Sequence, residues 1–104
     1  MNDNDLERWK KMSLMEQMAN IGSEVYRASS WRAKGNPKYS QKAFERALEL
    51  IDRTLSCKLR PSALREIART REYLCELFLN DNSSANDFES INKYFHHFAL
   101  GLKR

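Results

Sequence analysis

At 104 residues, with 41% apolar and 31% charged side chains, the chain is the length of one domain and can bury a single core without metal or disulfide staples. That balance excludes a disordered polyelectrolyte, and no stretch approaches the ~18 consecutive apolar residues that a membrane span needs. A net charge of +4 and a pI near 9.2 permit an acidic or nucleic-acid partner without demanding one.

Breakers are few and four long runs carry helical periodicity, which predicts an all-α domain over residues 1–104. The N-terminus, Met-Asn-Asp-Asn-Asp, is acidic where a secretory signal is basic, and no apolar segment follows, so a cytoplasmic location and no membrane association are expected. Cys57 and Cys75 stand in neither a CxxC nor a zinc spacing and are expected as free thiols, Cys75 near the core.

Residues 1–12 predict a short lead-in helix, with Asp3 or Asn4 as cap and Trp9 over the end of the molecule, or at an interface if exposed. Ser13 and Glu16 form a capping box that starts the first main helix at Leu14. Its apolar stripe runs Leu14, Met18, Ile21, Val25 and Ala28. Gly22 costs such a helix about 1 kcal/mol against Ala, and close approach of a neighbouring helix is the expected compensation. Gly35 then suits the position just past the helix end, and Asn36-Pro37 suits the cap and first residue of the next helix.

The second stripe is Ser40, Ala43 or Phe44, Ala47 or Leu48, Ile51 and Leu55, with Glu49 and Arg53 expected as a pair on the solvent side. After a connector at 58–61, Ser62 or Arg60 caps a third helix with the stripe Ala63, Ile67, Thr70, Leu74 and Leu77 or Phe78. The Thr70 hydroxyl is placed to bond the Glu66 carbonyl. A polar loop over 80–85 precedes a second expected capping box, Asn86 with Glu89, and a fourth stripe of Phe88, Ile91, Phe95, Phe98 and Leu102. Short connectors predict an antiparallel up-and-down four-helix bundle behind the lead-in helix.

In that topology one end gathers residues 1–13, 52–61 and 101–104, the other 27–42 and 79–89. Both ends are positive and the middle is mildly acidic. At the hinge tip aromatic and cationic residues interleave: Trp31, Arg32, Lys34, Lys38, Tyr39 and Lys42. Such a mixture suits RNA or a nucleotide, through stacking and cation–π contact. The alternative is a turn whose rings cap the core and whose cations are solvated. Arg60, Arg65 and Arg69 form a second candidate basic surface.

His96 and His97 are adjacent, about 100° apart on a helix, with no acidic residue three or four positions before either, so a metal site is not expected. Glu45, Glu49, Asp52, Glu72 and Glu76 alternate with arginines, as a solvated salt-bridge surface does. No phosphate loop, nucleophile motif or cofactor signature is present, so no enzymatic activity and no cofactor are expected.

Trp31 to Leu50 (WRAKGNPKYSQKAFERALEL) resembles half of a tetratricopeptide repeat, with a glycine in the turn and then F-x-x-A-L-E-L. The predicted bundle is also similar to the HEPN domains, whose arginine-then-histidine motif has no arginine ahead of His96 and His97 here; that resemblance implies an inactive member. Met15 to Arg53 is similar to short bacterial proteins of no assigned function. Large apolar residues off the stripes (Trp9, Tyr26, Trp31, Tyr73, Leu79, Tyr94 and Leu100) point to binding of another protein or a second copy.

Overall fold

In the computed structural model, which describes residues 3–102, local chemistry sets most of the helix limits. Among the described residues there are five helices: α1 (Asp3–Lys11), α2 (Leu14–Ala33), α3 (Pro37–Leu55), α4 (Pro61–Leu79) and α5 (Ala85–Gly101). Lys103 and Arg104, counted above at one positive end, lie outside the described residues. α1 already includes Asp3 and Asn4, so neither is its cap.

α2 starts on its capping box. The Ser13 hydroxyl accepts from the Glu16 N–H at 3.1 Å, and the Glu16 carboxylate accepts from the Ser13 N–H at 3.4 Å. It ends where Gly35 takes φ +76°, a left-handed conformation that costs glycine nothing. There the Gly35 N–H bonds the Arg32 carbonyl at 3.0 Å and the Asn36 N–H bonds the Trp31 carbonyl at 2.9 Å, a Schellman ending. Asn36 then caps α3, accepting from the Tyr39 N–H at 3.1 Å, with Pro37 in the first turn.

One start falls on the second of its two expected caps, and one differs from expectation. α4 has Arg60 before Pro61 at its cap, with no side-chain bond, so Ser62 lies inside the helix. α5 begins at Ala85, and its box is Ser84 with Asp87 rather than Asn86 with Glu89. The Asp87 carboxylate accepts from the Ser84 N–H at 2.7 Å, which a box two residues later could not provide.

α2 is the central helix, packed on α3 and on α5; α3 also packs on α4 and α1, while the backbones of α4 and α5 approach only loosely. The α2 stripe from Met18 to Ala28 is buried, facing Ala43, Phe44, Ala47 and Ile51 of α3 and Ile91 and Phe95 of α5. α4 closes the core with Ile67, Leu74 and Leu77, and the Thr70 hydroxyl donates to the Glu66 carbonyl at 2.9 Å, as expected. Leu102, assigned to the fourth stripe, is exposed, because α5 ends at Gly101.

Gly22 meets the neighbour its cost implied. A Cβ there would sit 2.5 Å from the Phe95 Cβ, so α2 and α5 cross at a separation that only glycine allows. Burying Phe95 contributes about 1.5–3 kcal/mol, which offsets the roughly 1 kcal/mol lost by glycine within a helix.

α1 folds onto α3. Trp9 is buried and its indole N–H donates to Thr54 Oγ1 at 2.9 Å, while Gln17 Nε2 donates to the Trp9 carbonyl at 2.8 Å. This corrects the placement of Arg53, whose side chain is only 5% exposed. Its guanidinium reaches Glu49 at 3.5 Å, and its Nε has no partner among the described residues. α3 keeps an exposed face at Gln41, Lys42, Glu45, Arg46 and Asp52, but with three helical neighbours that face does not extend to Arg53.

Candidate functional site

The hinge tip gathers four of its six expected residues. The Trp31 and Tyr39 rings lie 4.9 Å apart and tilted by 55°, with Lys34 Nζ 5.2 Å from the Trp31 centroid and Lys42 Nζ 5.8 Å from that of Tyr39. A shallow cavity of about 280 Å³ lies against Trp31, Tyr39, Lys42 and Arg46. Each ring is contacted by the other and by one ammonium, which reduces the free ring face left for a stacking base. Lys38 is exposed and does not line this cavity.

Arg32 does not belong to the tip. Its guanidinium donates to the Phe78 carbonyl at 3.0 Å and the Asn80 carbonyl at 2.7 Å and lies 5.0 Å from the Phe88 centroid. The Ser83 hydroxyl donates to the Leu77 carbonyl at 2.7 Å. Together they satisfy carbonyls that the end of α4 leaves without intrahelical donors. Arg32 is one turn ahead of Gly35 in sequence but faces the other hairpin, a long-range contact with no local signature.

The loose approach of α4 and α5 opens a groove of about 650 Å³ between them, lined by Arg65, Glu66, Arg69, Tyr73, Ser90 and Tyr94 among others. Two of the three arginines of the second candidate surface are therefore brought together. Arg60, at the cap of α4, is exposed and outside the groove. On the groove wall the Tyr94 hydroxyl donates to Glu66 Oε1 at 3.1 Å and stands 3.5 Å from the Thr70 hydroxyl. Burial raises the Tyr94 pKa above its usual 10.0, Thr70 opposes the shift, and Glu66 adds to it, so the phenol stays a proton donor at neutral pH.

A furrow between α2 and α5 was not anticipated. Two adjoining cavities of about 650 and 690 Å³ share Tyr26, Ser30, Asn92 and His96. Tyr26 is 65% exposed. Below it Asn92 Nδ2 donates to Ser29 Oγ at 3.1 Å, the Ser29 hydroxyl donates to the Tyr26 carbonyl at 2.9 Å, and Asn92 Oδ1 is buried without a partner among the described residues. The available signal was the small-residue face of Ala19, Gly22 and Ser23, which here lines the furrow with Phe95 and Ala99. Both histidines are exposed, but only His96 lines it.

Of the large apolar residues off the stripes, Trp9 is buried, Trp31 and Tyr94 are half-buried, and Tyr26, Tyr73, Leu79 and Leu100 are exposed. Among the described residues no group of three or more His, Cys, Asp or Glu side chains is placed to hold a metal ion, and no helix is long and apolar enough to cross a membrane. Asp52 is engaged across helices, receiving Arg71 Nε at 2.8 Å and Nη2 at 3.4 Å. Compared with protein-family models, curated proteins and solved structures, the chain matches none.

Proposed function

We propose that the chain is a non-enzymatic binding module whose α2–α5 furrow docks another protein, a second copy of the chain included. The observation that carries this is Tyr26: a bulky ring, 65% exposed, at the place where two cavities adjoin. Aromatic residues anchor protein interfaces because they remove a large apolar area from water at little rotamer cost. The furrow is concave, with small α2 residues that admit close approach.

The architecture we assign to this module is an up-and-down four-helix bundle of α2 to α5, with α1 as a short lead-in helix. The packing of α2 on α3 and α5, and of α3 on α4, supports it. A cytoplasmic setting fits two half-buried cysteines that are both free thiols. The resemblance of Trp31 to Leu50 to a tetratricopeptide hairpin agrees with protein binding.

Sedimentation velocity over a concentration series, with in-cell crosslinking, tests the docking reading. The wild-type chain should self-associate or crosslink to a partner, and Tyr26→Asp should abolish it while leaving the helical spectrum intact. Association that survives Tyr26→Asp, or a wild-type chain that stays monomeric and crosslinks to nothing, overturns it.

A further inference from the structure

Arg65, Arg69 and Tyr73 follow one another at four-residue spacing on α4, a column that climbs about 6 Å per step along the wall of the α4–α5 groove. Neither guanidinium has a hydrogen-bond or ion-pair partner among the described residues. Every other described arginine except Arg60 is held by a carboxylate or a carbonyl. The one carboxylate on the groove wall, Glu66, is taken by the Tyr94 hydroxyl at 3.1 Å. Tyr73 is 42% exposed, and Ser90 presents a hydroxyl from the opposite wall. Two cations without an ion-pair partner among the described residues and an accessible ring, beside one carboxylate, share one wall of an open cleft of about 650 Å³.

We infer that this groove binds single-stranded nucleic acid, Arg65 and Arg69 taking neighbouring backbone phosphates and Tyr73 stacking on a base. A guanidinium fork matches two phosphate oxygens at once, so a pair of free arginines one turn apart is complementary to a phosphodiester backbone. Cations beside an aromatic platform give sequence-tolerant binding of single strands, because every base has a π-face. A cleft in the size range of small-ligand sites holds about two nucleotides and not the width of a duplex. The hinge tip is the poorer platform, since its rings already contact one another and the chain's own lysines.

Fluorescence anisotropy of a labelled oligouridylate with the full chain tests the assignment. Two released counterions predict a slope of log K against log salt of about −1.4, so affinity should fall about sevenfold from 50 to 200 mM salt. The double variant Arg65→Gln/Arg69→Gln should lose most of both the affinity and the slope. Tyr73→Ala should weaken binding at least about fivefold with the slope unchanged. Lys34→Gln/Lys42→Gln at the tip, and Tyr26→Asp in the furrow, should change neither. Among the described residues the side chains of Arg65, Arg69, Tyr73 and Tyr26 make no hydrogen bond, ion pair or ring contact, whereas Lys34 and Lys42 lie over the Trp31 and Tyr39 rings, and circular dichroism checks that each variant folds. The assignment is overturned if the oligomer does not bind at low salt. It is equally overturned if the tip variant loses as much as the groove variant, or if duplex, uridine monophosphate, inorganic phosphate or a polyglutamate peptide binds as tightly.

Discussion

Trp9 and Thr54, far apart in sequence, are joined by a buried hydrogen bond of 2.9 Å that ties α1 to α3. The bond satisfies an indole N–H that burial would otherwise strand. Trp9→Phe keeps most of the apolar contact and removes the donor, so it should cost about 1–3 kcal/mol in urea unfolding. Adding Thr54→Val removes the stranded partner and should restore part of the loss, a positive coupling in the double-mutant cycle.

Gly22→Ala sets two effects against each other. Helix propensity favours alanine by about 1 kcal/mol, but its Cβ would lie 2.5 Å from the Phe95 Cβ. Overpacking should win, giving net destabilisation of about 1–3 kcal/mol by thermal or urea unfolding. Phe95→Leu should not rescue it, because the colliding atom is a Cβ that leucine also carries.

Arg32→Ala should destabilise the chain by about 1–3 kcal/mol, since two carbonyls at the end of α4 lose a charged donor. Arg32→Lys should recover only part, because a single ammonium lacks the fork that reaches both Phe78 and Asn80. Hydrogen exchange should show the loss concentrated in the last turn of α4 and the loop after it. Nucleic-acid binding in the α4–α5 groove should be unaffected.

The raised pKa of Tyr94 has a definite sign in stability. Below pH 10 the phenol is protonated in both states and its contribution is fully present. Above that the unfolded chain releases the proton first, so stability falls as pH rises. Tyr94→Phe should flatten this alkaline limb relative to wild type in urea melts from pH 8 to about 11. An identical limb in both proteins removes Tyr94 as its cause.

Local chemistry in the sequence determined the helix limits at Ser13, at Gly35 to Pro37 and before Pro61. A cap, a left-handed glycine and a proline each act on partners within about four residues. It also determined the inward stripes of α2 and α3, because one helical period places those side chains on one face. Tertiary structure alone decided that Arg53 is buried, since the helix that covers α3 comes from a different part of the chain. It alone turned Arg32 from the tip to the carbonyls of α4, and opened the α4–α5 groove and the α2–α5 furrow. These depend on how far apart helices stand and how their outer faces meet, and residue periodicity within one helix carries no such distance.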